Sequence, residues 1–161
     1  MAKEIERKFL LRDDRWRSLA THRRRMSQAY IARGDRISVR IRISDAAAWL
    51  NIKSGGLEAV RDEFEYAIPL ADARALLARA AGPSIEKTRH FVPHAGFEWE
   101  IDEFHGANEG LLVAEIELDA EGQEFPVPGW IGREVTAYER YYNVNLVEHP
   151  FADWDETERL S

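Results

Sequence analysis

The chain has 161 residues, with 22 lysines and arginines against 29 aspartates and glutamates, for a formal charge of −7; 45% of it is apolar and cysteine is absent. That length fits one domain spanning 1–161, and the composition excludes a disordered chain, disulfides, thiolate nucleophiles and cysteine-ligated zinc. No segment approaches the roughly 20 apolar residues of a membrane-spanning helix, MAKEIERKFL has no signal-peptide pattern, and the acidic balance argues against a general nucleic-acid binder, so a cytoplasmic protein is expected.

Strict alternation of apolar and polar residues runs along most of the chain, the mark of strands with two unlike faces. Ala2 to Leu11 sets Glu4, Glu6 and Lys8 against Ile5 and Phe9. Asp13 to Ala20 reads as a short helix with acids at its start. Arg23-Arg24-Arg25 reads as a solvated loop. A strand over Ser27 to Arg33 follows, with Gln28 and Tyr30 sharing a face. Gly34-Asp35 supplies a hairpin turn, and Arg36 to Ser44 alternates almost perfectly, with Arg40 and Arg42 opposite Ile41 and Ile43.

Trp49 to Lys53 sets Asn51 and Lys53 against Leu50 and Ile52. A Gly55-Gly56 turn leads into Val60 to Ile68, where Arg61, Glu63 and Glu65 oppose Phe64 and Tyr66. Pro69 to Ala81 predicts a helix with one apolar stripe, stopped by Gly82-Pro83. Ile85 to Phe91 carries Lys87 and Arg89, Phe97 to Phe104 carries Glu100 and Asp102, and Leu111 to Leu118 carries Glu115 and Glu117. These are eight candidate strands, mostly antiparallel neighbours. Glu139 to Val147 is a third helix candidate, and Asp153 to Ser161 an acidic, loosely held tail.

The polar faces carry charges, and the charges are sorted by strand. Basic faces hold Arg40, Arg42, Lys53, Lys87 and Arg89; acidic ones hold Glu4, Glu6, Glu100, Asp102, Glu115 and Glu117. An antiparallel sheet with a solvated polar face is one reading. The other is a closed barrel whose apolar faces look outward under helices, so that the charges converge on a lumen. Unpaired ions in a dry lumen cost several kcal/mol each, so such a bore is wet and charge-paired, or filled by a charged ligand. Both signs in one cavity suit a polyanion with its metal cation.

Glu4-Ile5-Glu6-Arg7-Lys8 resembles the E-x-E-x-K signature of the CYTH family, the triphosphate tunnel metalloenzymes. The resemblance continues through Arg40-x-Arg42, Lys53 in Asn-Ile-Lys-Ser-Gly, Arg61-x-Glu63-x-Glu65, Lys87-x-Arg89, Trp99-Glu100-Ile101-Asp102 and Glu115-x-Glu117, ending at Trp130 to Thr136. It implies an α+β, mainly β fold: an eight-stranded antiparallel closed tunnel with a charged lumen and helices packed outside. It also implies Mg²⁺ or Mn²⁺ held by Glu4, Glu6 and Glu117, with Glu115 and Asp102 as further candidate ligands and Glu63 and Glu65 in support.

Lys8, Arg40, Arg42, Lys53 and Arg89 are the expected phosphate-binding cations, joined by Arg133 near the end of the C-terminal element. Internal ion pairing is compatible with that role, since a ligand displaces some pairs. With no covalent nucleophile in view, water is the expected attacker; the family resemblance makes a Lys87–Tyr30 pair the preferred catalytic element, although Lys87 as a phosphate clamp fits nearly as well. His90 and His94 straddle Pro93 and share no helical face for zinc, and no P-loop is present.

Three functions fit the residues. A metal-dependent tripolyphosphatase ranks first. A class IV-type adenylyl cyclase or a thiamine or nucleoside triphosphatase ranks second, and a non-catalytic polyphosphate-binding module third. The partner is a small-molecule triphosphate, with no nucleic acid or membrane, and a homodimer is allowed.

Overall fold

The computed structural model describes residues 2–54, 60–80 and 82–159. Alternating sequences build nine strands: β1 (Ala2–Leu11), β2 (His22–Arg33), β3 (Ile37–Ser44), β4 (Ala47–Ser54), β5 (Val60–Ile68), β6 (Ile85–His94), β7 (Phe97–Phe104), β8 (Leu112–Glu117) and β9 (Ile131–Glu134). Their order, β5-β4-β3-β2-β6-β7-β8-β1, closes through a β5–β1 pairing, and β9 adds to β1. Every pairing is antiparallel. The result is an eight-stranded closed barrel with one extra strand. The predicted Gly55-Gly56 turn lies outside the described residues.

The apolar faces do look outward. Phe9, Trp99, Ile101, Ala114 and Ile116 form one external core with Trp16 and Trp130. Trp16 comes from a 3₁₀ turn over Arg15–Leu19, where the sequence reads as a helix from Asp13 to Ala20. A second external patch, Ile41 and Ala48, is covered by Ala73 of helix α1 (Leu70–Leu77), which is shorter than the predicted span of Pro69 to Ala81. Burying such side chains is the dominant favourable term in folding.

A third cluster has the opposite logic. Leu10, Tyr30, Ile85, Phe104 and Val113 have lumenal parity, and they pack with Tyr141, Leu146, Val147 and Trp154 from the C-terminal segment. One end of the bore is therefore plugged by apolar side chains. The helix predicted over Glu139 to Val147 is broken: a 3₁₀ turn (Glu139–Tyr141) and a four-residue helix α2 (Asn143–Leu146) flank an extended Tyr142.

Two further departures concern backbone pairing. Arg23-Arg24-Arg25 is not a loop: these residues open β2 and pair with His90, Arg89 and Thr88 of β6. Their side chains are exposed, as expected, but ladder hydrogen bonds hold their backbone. Strand β9 also had no alternation long enough to announce it. It continues the edge of β1 where β5 leaves off, with Leu11 opposite Ile131 and Phe9 opposite Glu134.

If the outward-facing core holds the barrel, Trp99→Ala should cost about 3–5 kcal/mol in urea unfolding, the usual range for emptying a buried aromatic site. A loss below about 1 kcal/mol would mean that Trp99 contributes no more than a surface side chain.

Candidate active site

Strand register dictates what meets in the lumen, because directly opposed residues point to the same side of a sheet. Glu4 faces Arg61, Glu6 faces Glu117 and Lys8 faces Glu115. Lys53 faces Glu63, Asn51 faces both Glu65 and Arg40, and Arg40 also faces Tyr30. Gln28 faces Arg42, Arg89 faces Asp102, and Glu100 faces Glu115. All of these but Asn51 and Asp102 line a cavity of about 1040 Å³.

The charges form one nearly continuous belt. Lys53 Nζ donates to both Glu4 oxygens at 2.6 and 2.7 Å, and Arg61 bridges Glu4 (3.2 Å) to Glu6 (2.9 Å). Lys8 Nζ lies 3.1 Å from Glu6 and donates to Glu115 at 2.7 Å. Arg89 donates to Glu115 at 3.1 Å and to both Asp102 oxygens at 2.7 and 2.8 Å, and also pairs with Glu100. Lys87 Nζ ends the belt on Asp102 at 2.5 Å. Beside it, Arg42 and Asn51 both donate to Glu65, at 3.0 and 2.5 Å.

Burial and partners set the protonation states. Burial opposes the charge on Glu115, but Lys8, Arg89 and Lys87 outweigh it and hold the carboxyl well below the usual range. Asp102 is likewise held low, its burial offset by Arg89 and Lys87. Lys87 goes the other way. Burial first, with Arg89 adding repulsion, pulls its ammonium down to about 8 despite Asp102. Lys87 shares the Asp102 carboxylate with Arg89, which grips both of its oxygens, so Asp102 only partly offsets the burial. Tyr30 is pushed up by burial, against the charge and hydrogen bond of Arg40.

Glu117 stands at the cavity wall with no ion pair among the described residues. Burial and then Glu4, Glu100, Glu63 and Glu6 all raise its pKa. Glu4 is raised as well, by burial and by Glu6. Mutual repulsion among oxygen donors is what a hard divalent cation relieves, and such a cation keeps waters and phosphate oxygens in its shell. Among the described residues no three acidic or histidine side chains converge into a finished metal site.

Most predicted site residues share this lumen: Glu4, Glu6, Lys8, Tyr30, Arg40, Arg42, Lys53, Glu63, Glu65, Lys87, Arg89, Glu115 and Glu117 line the cavity. Two do not. Arg133 lies exposed on β9, outside the cavity, because β9 pairs beyond the barrel seam. Asp102 is fully buried behind the wall with its oxygens taken by Arg89 and Lys87, so it orders cations and is not placed to ligate a metal. Tyr30 and Lys87 both line the lumen, yet no hydrogen bond joins them among the described residues; Lys87 Nζ instead approaches Asn143 Oδ1 at 3.5 Å.

The sequence left several participants without a role. Arg61 sits on the charged face of its strand, so parity alone could have placed it beside Glu4 and Glu6. Gln28 is fully buried with neither amide atom hydrogen-bonded, a situation worth about 1–3 kcal/mol per unsatisfied group. Arg40 Nε and Asn51 Oδ1 are also unsatisfied. These orphaned groups are ones that a bound anion and its waters can satisfy. Tyr142 and Asn143 come from an irregular segment that has no periodicity to read.

Comparison with known proteins agrees with this geometry. The CYTH domain profile matches residues 2–149. The chain is 43% identical over 160 residues to an inorganic triphosphatase of Acetivibrio thermocellus, covering 97% of this chain and 100% of that protein. The crystal structure of the inorganic triphosphatase NE1496 superposes with a TM-score of 0.63 at 31% identity, over 91% of this chain and 95% of that one. A putative adenylate cyclase from Bacillus halodurans shares the fold alone, with a TM-score of 0.57 at 16% identity over 75% and 84% of the two chains. The fold and site define a tunnel enzyme of the triphosphate-binding kind. This chain belongs to the CYTH family, and membership implies a divalent metal ion.

Breaking the belt at its centre should be costly. Glu6→Ala leaves Lys8 and Arg61 short of a carboxylate in a buried site, and is expected to lose about 3–5 kcal/mol in urea unfolding at pH 7. A loss below about 1 kcal/mol would show a belt as weak as exposed surface pairs.

Proposed function

We propose that this protein hydrolyses inorganic tripolyphosphate to pyrophosphate and phosphate, using Mg²⁺ or Mn²⁺, in the cytoplasm. The observation that carries this reading is the belt itself. Lys8, Arg40, Arg42, Lys53, Arg61, Lys87 and Arg89 line one cavity, and all but Arg40 pair with carboxylates they can exchange for phosphate oxygens. A ligand made only of phosphates needs only charges. The neighbour described as a cyclase supports no more than a common fold.

Arg40 and Arg42 grip phosphate oxygens in their planar forks, while Lys8 and Lys53 act as mobile point charges. On substrate binding, Arg42 leaves Glu65 and Lys53 leaves Glu4, so the freed carboxylates are available at the metal end. Glu4, Glu6 and Glu117 are the residues that would hold the cation. When bound, it offsets phosphate charge and stabilises the displaced oxygens.

The reaction is an in-line displacement. A water oxygen bonds to the terminal phosphorus, and the bond from that phosphorus to its bridging oxygen breaks. Pyrophosphate leaves with the electron pair. Neutral Lys87 takes the water's proton, which its lowered pKa permits near neutral pH. Tyr30, which burial keeps protonated even above its ordinary range, orients the phosphoryl group from the neighbouring strand.

With Mg²⁺ or Mn²⁺, the purified protein should release phosphate from tripolyphosphate faster than from ATP or thiamine triphosphate, and excess chelator should stop it. Cyclic AMP from ATP, or turnover that persists in chelator, would overturn the assignment. Because the base must be neutral, kcat should rise with pH through about 8, and Lys87→Arg should remove that limb. A kcat that falls through the same range would make charged Lys87 a clamp for phosphate.

A further inference from the structure

Among the described residues β1 and β5 pair from Ala2 to Ile5, and this seam closes the barrel. Farther along β1, the chain after β9 runs beside the strand. Val135 N–H donates to the Lys8 carbonyl at 2.8 Å, and Lys8 N–H donates to Thr136 Oγ1 at 3.0 Å. Tyr142 enters the lumen beside this seam. Its hydroxyl donates to the Thr136 carbonyl at 2.9 Å, and its ring lines the cavity.

Two lumenal cations lie against that ring. Lys8 Nζ, from β1, is 4.8 Å from its centroid, and Arg61 Cζ, from β5, is 5.4 Å away. Both are buried, and both otherwise contact carboxylates: Lys8 reaches Glu6 and Glu115, Arg61 reaches Glu4 and Glu6. An aromatic face attracts a cation without using its N–H donors, and the attraction grows as water is excluded. The donors stay free to move from carboxylate to phosphate, whereas a further carboxylate at this place would compete for them.

We propose that Tyr142 is a positioning residue of the phosphate site: its ring holds Lys8 of β1 and Arg61 of β5 together at the seam, leaving their N–H groups to polar partners in the bore. It acts through those cations and has no part in proton transfer. The hydroxyl has a separate task, fastening the C-terminal segment to Thr136. This assignment rests on the triphosphatase reading above.

The two tasks separate by substitution. Tyr142→Phe keeps the ring and loses the hydroxyl; Tyr142→Leu loses both. The measurements are Tm, KM and kcat for tripolyphosphate with Mg²⁺, and the calorimetric Kd for tripolyphosphate without metal. Tyr142→Phe should lose a few degrees of Tm, and Tyr142→Leu more, since it also empties the ring's buried volume. Only Tyr142→Leu should raise KM and Kd, by about tenfold, with kcat within about threefold of wild type, and Tyr142→Phe should stay within about twofold throughout. Equal losses of affinity in the two variants would reduce Tyr142 to a structural anchor and overturn the proposal, as would a Tyr142→Leu protein that binds like wild type. If the wild type neither binds nor hydrolyses tripolyphosphate, the functional reading fails and this assignment with it. An active wild type with unaffected variants overturns the assignment alone.

Discussion

The interaction on which the structure depends is the run of ion pairs from Lys53 through Glu4, Arg61, Glu6, Lys8, Glu115 and Arg89 to Asp102 and Lys87. Charges buried in a barrel are tolerable only if each is paired, and every member of this run has at least one partner of opposite sign. The pairing is also why the site can work. Under the proposed function, each cation is held by a carboxylate that a phosphate oxygen would replace, so the charges of the site are already paired before substrate arrives. The penalty for assembling the site is met during folding, and binding would become an exchange of partners.

The outer architecture follows from this inward placement. Because the ionic face turns in, the apolar face turns out, and it must be covered by the Trp16 turn on one side and by α1 on another. The C-terminal segment completes the enclosure from a third direction. Its apolar residues plug the end marked by Leu10, Ile85 and Phe104, while Tyr142 and Asn143 reach the charged part of the bore. One stretch of irregular chain thus closes the cavity and also contributes to its wall.

The barrel was readable because a period of two is a local property, and a strand such as Arg36 to Ser44 shows it in nine residues. The inversion was only suggested by chemistry, in charges of both signs sorted by strand; the resemblance of Glu4-x-Glu6-x-Lys8 and its companion motifs to the family decided it. What escaped was decided by tertiary contact. Arg23 to Arg25 form a strand because β6 offers them a ladder, whatever their side chains prefer. β9 exists because β1 has a free edge. Arg133 falls outside the cavity for the same reason, while Asp102, with lumenal parity, is withdrawn from it by two cations that claim its oxygens. Tyr142 takes its position from a seam between two strands far from it in sequence.

The most direct test is a crystal structure with Mn²⁺ and a non-hydrolysable imido analogue of tripolyphosphate. The account predicts an anomalous manganese peak among Glu4, Glu6 and Glu117, with the phosphates lying along Arg40, Arg42 and Lys53 and the Lys53–Glu4 pair open. Manganese or analogue bound only on the outer surface, with every internal pair intact, would contradict it.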